Sequence, residues 1–276
     1  SMLVGQLDPS QGAAYVGGFH TVEQRKQALN ELGIVPQFDV LYPELSVKEH
    51  LQMYAAVKGV VRQENLMWAT HIANKVSLAG ELFNKPCKNL SGGMKRRLSI
   101  AIALLSNPKI LFLDEPTTGL DPDMKRSIWE IVEHMRHGRC IILTTHAMDE
   151  AETLCNRIGI MANGSLKCIG TPAHLRKRYG STFELTFTIA PSADVDGNLD
   201  GFLKEFSETA TCVSAFGQTR VYTMDKDQMD LASLFTMILK GQAEGLYSEW
   251  GISNTSLDEV FCAITAKSEG AQANEF

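Results

Sequence analysis

Apolar positions along this chain recur in two rhythms. Residues 1–40 read as the end of a helix, a turn at Asp8-Pro9-Ser10-Gln11-Gly12, a short strand from Ala13 to Val16 and a polar segment carrying Val22, Ala28 and Leu29. Ile34-Val35 then predicts a short buried strand, broken by Pro36. Residues 41–88 follow a mostly helical period: Ser46 and Glu49 form a capping box, and Leu51, Tyr54, Ala55 and Lys58 continue at helical spacing. A second amphipathic stretch over 65–79 places Leu66, Ala69, Ile72, Ala73 and Val76 on one side. Ser91 opens the next helix, which Asn107-Pro108 stops. A strand at 110–113, a helix near 123–136, a strand at 140–144 and a helix opening at His146 follow. Strands alternating with helices predict a parallel sheet, and continuous apolar strands predict that both its faces are covered.

Beyond residue 157 the rhythm changes. Ile158 to Met161 and Ser165 to Ile169 flank Asn163-Gly164 as a hairpin. After Tyr179-Gly180 come a β-rich run from Thr182 to Ile189, a helix from Leu199 to Phe206 and a hairpin of Cys212–Phe216 with Arg220–Thr223. A helix from Met229 to Leu239 and a strand from Leu246 to Ile252 complete the segment. That order is the split βαβ, ferredoxin-like pattern. Ser256 caps a closing helix, and the tail from Lys267 is expected to be disordered. The boundary between domains is placed at 178–181, giving 1–178, with a helical subdomain at about 41–97, then 181–266, and a tail at 267–276.

Composition narrows the class. With 276 residues, 44% apolar and 21% charged, the chain suits a globular protein of one large or two ordinary domains. A net charge of −6 disfavours nucleic acid as a partner. No apolar run approaches the roughly 18 residues that span a bilayer, and no secretory signal pattern opens the chain. Cys87, Cys140, Cys155, Cys168, Cys212 and Cys262 never fall in Cys-x-x-Cys spacing, so free thiols are expected. His134 and His137 have no third ligand nearby in sequence and read as a solvated helix end.

Two segments carry chemistry. Leu90-Ser91-Gly92-Gly93 turns into a helix, where exposed N–H groups and the helix dipole suit an anion. The apolar strand Ile110-Leu111-Phe112-Leu113 ends in Asp114-Glu115, a pair that can hold magnesium with one carboxylate and activate water with the other. Lys95, Arg96 and Arg97 read as a solvated basic helix face.

The order of these pieces carries a resemblance. Val35-Pro36-Gln37, Leu45-Ser46-Val47-Lys48-Glu49-His50-Leu51, Leu90-Ser91-Gly92-Gly93-Met94, Asp114-Glu115-Pro116-Thr117, Gly119-Leu120-Asp121-Pro122, Thr144-Thr145-His146 and Leu257-Asp258-Glu259-Val260-Phe261 occur in the order of an ABC transporter nucleotide-binding domain. The chain resembles the A subfamily, a lipid-exporter-like group, from Ser1 to about residue 266. Any one motif is weak; the ordered set is specific. The resemblance implies an α/β P-loop NTPase (ABC ATPase) core with a helical subdomain and a small ferredoxin-like α+β C-terminal domain of regulatory or contact role. The family's phosphate loop, G-x-x-x-x-G-K-[ST], has no counterpart here, since no Gly-Lys dipeptide occurs. Ser1-Met2-Leu3-Val4-Gly5 resembles the helix that follows that loop, so the first strands and the loop are expected to be cut away.

The same resemblance implies the roles. Asp114 holds Mg2+, Glu115 is the general base, Gln37 senses the metal and water, and His146 donates to the γ-phosphate of ATP. Ser91, Gly92 and Gly93 bind the γ-phosphate of an ATP held on a second nucleotide-binding domain, and Asp121 lies at that seam. Transmembrane domains of the same or a partner chain are the other implied partners, with the cassette on the cytoplasmic side of a membrane and segment 41–88 docking onto them. A chromosome or repair ATPase is disfavoured because only 54 positions separate Gln37 from Ser91, too few for a long coiled coil. A ribosome-acting relative is disfavoured by the single cassette and the acidic charge. A loop-less, non-hydrolytic cassette completing a partner's ATP site stays as an alternative.

Overall fold

In a computed structural model, residues 2–180, 182–189, 195–226 and 230–273 are described. Their contacts group into two compact units, Ser1–Glu150 and Ala151–Phe276.

The first unit begins with a small antiparallel hairpin, β1 (Tyr15–Val16) and β2 (Phe19–His20), turning at Gly17-Gly18 with φ of +61° and +87°. Helix α1 (Arg25–Asn30) precedes β3 (Leu32–Val35). The sequence shows only a polar segment where α1 forms. Six residues with Ala28 as the one buried side chain are too few to display a period. Val16, Ala28 and Leu32 make a small core beneath it.

Helix α2 (Val47–Val57) starts at Ser46, whose side chain accepts from Glu49 N while Glu49 accepts from Ser46 N, so the expected capping box is present. In α3 (Arg62–Lys75) the buried face runs through Asn65, Ala69, Ile72 and Ala73. Leu66, expected on that face, is 47% exposed. Helix α4 (Gly92–Leu104) is capped by Ser91 Oγ, which accepts from Met94 N at 3.3 Å.

Strand β4 (Ile110–Asp114), helix α5 (Pro122–Met135), strand β5 (Cys140–Thr144) and helix α6 (Met148–Leu154) follow. The sheet runs β3-β4-β5, parallel throughout, with Val35 beside Leu113 and Asp114 beside Thr144. The parallel sheet is as expected, but full burial is not: Ile142 on β5 is 40% exposed, β5 being an edge of this sheet. Helix α6 begins at Met148, leaving His146 in the preceding loop rather than at a helix start.

In the second unit, β6 (Ile158–Ala162) and β7 (Ser165–Gly170) form the expected hairpin around Asn163-Gly164, both at positive φ. Then come α7 (Pro172–Tyr179), β8 (Thr182–Thr188), α8 (Val195–Phe206), β9 (Thr211–Phe216), β10 (Thr219–Asp225), α9 (Leu231–Ala243), β11 (Glu249–Asn254) and α10 (Leu257–Ala273). The sheet order β11-β8-β10-β9, antiparallel at every pairing, is that of the split βαβ pattern. Leu185 and Phe187 on β8, Leu199 and Leu203 on α8, and Leu234 and Met237 on α9 fill its core. Both α7 and β6 lie against α10. They therefore join the second unit, and the division falls after Glu150 rather than at 178–181. Helix α10 continues past Lys267, where the sequence suggests a disordered tail; 274–276 lie outside the described residues.

Candidate functional site

Parallel strands β3, β4 and β5 end side by side, so the residues just beyond them gather at one edge of the sheet. That edge, outside the carboxyl ends of the strands, is where open α/β sheets bind ligands. Gln37 lies two residues past β3, Asp114 and Glu115 end and follow β4, and His146 lies two residues past β5. The four are thus brought together by topology alone.

Glu115 is the centre of the cluster. Its Oε2 accepts from Gln37 Nε2 at 3.1 Å and from Thr118 Oγ1 at 2.9 Å. Its Oε1 lies 3.6 Å from His146 Nδ1, an electrostatic approach longer than a hydrogen bond. His146 is otherwise open, with its side chain 71% exposed. The Glu115 backbone is left-handed, φ +41°. Such a conformation costs a non-glycine residue about 1–3 kcal/mol and persists only where its surroundings enforce it. Here Glu115 N donates to Thr144 O at 3.1 Å and Thr144 Oγ1 at 3.2 Å, pinning the turn to β5. Thr144 Oγ1 itself donates to Asp114 Oδ1.

Arg96 is a correction to the reading of residues 95–97 as a solvated charge run. It is 4% exposed. Its Nε donates to Pro116 O at 2.8 Å, and Nη2 to Asp114 O at 2.7 Å and Glu115 O at 3.1 Å. Nη1 donates to Pro36 O at 2.5 Å and reaches Asp39 Oδ1 at 3.3 Å. Arg97 turns inward as well, half-buried and donating from Nη2 to Ser127 Oγ at 2.7 Å, and nothing in a Lys-Arg-Arg run distinguishes the members that do so. The residues after β4 have a second tie: buried Glu150 accepts from Thr117 Oγ1 at 2.9 Å and Trp129 Nε1 at 3.2 Å. Thr118 and Thr144 also belong to this cluster; Thr144 stands within one of the motifs that the sequence displays, and Thr118 falls between two of them.

The glycine-rich segment divides unevenly. Ser91 and Gly92 are exposed; Gly93 is buried. A Cβ on Gly92 would meet only Leu120 Cδ2, at 3.9 Å, so its backbone is approachable. A Cβ on Gly93 would lie 2.5 Å from Met124 Sδ and 3.0 Å from Met124 Cγ, so a side chain there would require the Met124 side chain to move. Asp121 Oδ1 accepts from Met124 N at 2.9 Å and caps α5.

The donor set at the sheet edge suits a hard divalent cation. Among the described residues Asp114 Oδ2 has no protein partner, and the Gln37 amide oxygen is likewise uncommitted. Oxygen ligands of this kind match magnesium.

Comparison with known proteins bears on the family and the fold. A family profile described as "ABC transporter" matches residues 1–118. ABC transporter A family member 12 of Arabidopsis thaliana is 36% identical over 96% of this chain and 29% of its own length. ABC transporter A family member 10 of the same plant is 34% identical over 98% of this chain and 30% of its own length. The chain thus spans less than a third of these relatives. In three dimensions it resembles cbiO1 from Clostridium perfringens, part of the ABC transporter complex cbiONQ, with a TM-score of 0.58 and 28% identity over 64% of this chain and 72% of that one. Sheet, site and relatives define an ATP-binding cassette of the P-loop NTPase class. The chain belongs to the ABC transporters, in the A family.

Proposed function

We propose that this cassette carries the hydrolytic half of an ATP site and couples turnover to transport by transmembrane domains. The observation that carries this reading is the Glu115 carboxylate, held by Gln37 and Thr118 on one oxygen and facing His146 with the other. With Oε2 occupied, Oε1 is the oxygen that accepts a proton from water. That water attacks the γ-phosphorus of ATP, a P–O bond forms, and the bond to the bridging oxygen breaks with ADP leaving. General-base help of this kind is worth roughly 10²- to 10⁴-fold. His146, exposed beside Glu115, donates to the γ-phosphate. Asp114 and Gln37 hold Mg2+, which supplies charge neutralisation for the phosphates when bound.

The exposed backbone of Ser91-Gly92 and the carboxylate of Asp121 serve an ATP held on a second cassette. Gly93 supports that role by letting α4 approach α5. Exposed Phe38 and Val40, at 77% and 70%, adjoin Gln37 and suit contact with a transmembrane partner together with segment 41–88. A position on the cytoplasmic side of a membrane is part of this proposal and rests on the family resemblance; among the described residues no helix is long and apolar enough to cross one. A lipid-like cargo rests on the family resemblance alone. No Gly-Lys dipeptide lies within these 276 residues, so the isolated chain is expected to show no ATPase, and a non-hydrolytic cassette serving a partner's ATP is the second reading.

The test is Glu115→Gln in the full-length transporter. Turnover is expected to fall at least about 100-fold with ATP retained, the scale of a lost general base. Unchanged steady-state turnover removes Glu115 from this role.

A further inference from the structure

We infer that Arg96 is a positioning residue for the hydrolytic centre, setting the Glu115 carboxylate and the Gln37 amide relative to each other through their backbones. The inference rests on the function proposed above. The structural observation is that one buried guanidinium spans two segments otherwise separate in sequence. On one side it grips the carbonyls of Asp114, Glu115 and Pro116; on the other it reaches Pro36 O, with Gln37 O at 3.4 Å and Asp39 Oδ1 at 3.3 Å.

Three physical points give this contact a positioning role. First, a guanidinium offers five donors in a rigid plane, so the directions of its bonds are fixed together. The carbonyls it holds cannot move independently. Second, the residue in the middle of the gripped turn is Glu115, in a left-handed conformation that its own side chain disfavours. Arg96 and β5 bind that turn from two directions: Arg96 takes the carbonyl of Glu115, and Thr144 takes its N–H. Third, the acceptors after β3 belong to the residues bracketing Gln37, whose amide then meets Glu115 at 3.1 Å. A shift of the fork moves both partners of that hydrogen bond. Arg96 touches neither reacting atom, and it stands five residues from Ser91 on the same N-terminal half of α4. A displacement of that helix therefore reaches the hydrolytic carboxylate through one side chain.

The experiment is Arg96→Lys in the full-length transporter, measured alone and combined with Glu115→Gln. Lysine keeps the charge but is a compact donor without the planar fork. The expected result is a fall in kcat of about tenfold with KM for ATP within about twofold, and no further loss of residual turnover in the Glu115→Gln background, because two residues acting through one group are not additive. A fall that multiplies with that of Glu115→Gln, or a kcat per folded molecule equal to wild type, overturns the inference. Should Arg96→Lys not fold, Asp39→Asn tests the same contact with the arginine intact: kcat is expected to fall about threefold at constant KM, on the scale of a weakened ion pair, and an unchanged kcat overturns it. If Glu115→Gln by itself leaves turnover intact, the proposed function fails; if Glu115→Gln abolishes turnover and Arg96→Lys does not reduce it, the positioning role alone fails.

Discussion

Gln37 Nε2 donates to Glu115 Oε2 at 3.1 Å across 78 positions of sequence. The contact exists because β3 and β4 are parallel neighbours ending at the same level, Val35 beside Leu113. It leaves a neutral donor against the carboxylate proposed to take the proton.

Removing that donor is expected to slow turnover in the full-length transporter. Gln37→Ala deletes one hydrogen bond to a carboxylate, worth about 1.5 kcal/mol, or roughly tenfold in rate. Steady-state ATPase assays against magnesium concentration check it. An unchanged kcat and an unchanged magnesium requirement together separate Gln37 from the site.

A side chain at Gly93 is expected to cost stability, for a reason unrelated to phosphate, to the extent that Met124 resists moving. The Cβ of Gly93→Ala would meet Met124 Sδ at 2.5 Å and Met124 Cγ at 3.0 Å. Overpacking of this kind typically costs about 1–3 kcal/mol. Denaturant unfolding should show the loss in Gly93→Ala and its recovery in Gly93→Ala combined with Met124→Ala. If stability is unchanged while nucleotide-dependent dimerisation is lost, the constraint at Gly93 comes from the ligand and not from α5.

Two tyrosines make the second unit sensitive to alkali. Burial pushes the Tyr247 hydroxyl up to about 12, and it donates to Ile238 O at 2.5 Å. Tyr222 is pushed up further, by burial first and then by its hydrogen bond to Asp200. In the unfolded chain a tyrosine ionises near its ordinary value of about 10. The folded unit therefore favours the protonated form. The stabilisation is full below about pH 10 and is lost as pH rises from 10 toward 12. Urea midpoints measured across that interval should fall, and Tyr247→Phe should flatten the decline. A midpoint independent of pH in this window contradicts the assignment.

Much of this architecture was legible because its signals are local. Ser46 and Glu49 stand three apart and form the box that spacing predicts. Asn163-Gly164 supplies two left-handed positions in succession, which is what a tight hairpin turn needs. The run from Ile110 to Leu113 ending in Asp114-Glu115 is a strand followed by its site residues wherever the chain is read. Other features had no such mark. Helix α1 is too short to show a period. The division after Glu150 depends on α7 and β6 choosing α10 as their partner, a preference between distant segments.

The order of Gln37, Ser91, Asp114, Glu115, Asp121 and His146 is a property of the chain, and the roles proposed for them are what the resemblance carried by that order implies. Read from the residues alone, the glycine-flanked N–H groups suit an anion and the Asp114-Glu115 pair suits magnesium and water. Which of three consecutive basic residues turn inward was decided only by the packing of α4, and which oxygen of Glu115 stays open only by Gln37 and Thr118 taking the other. Side-chain type sets what a group can donate or accept; the direction from which it does so is fixed by neighbours that are remote in sequence and adjacent only in the folded sheet.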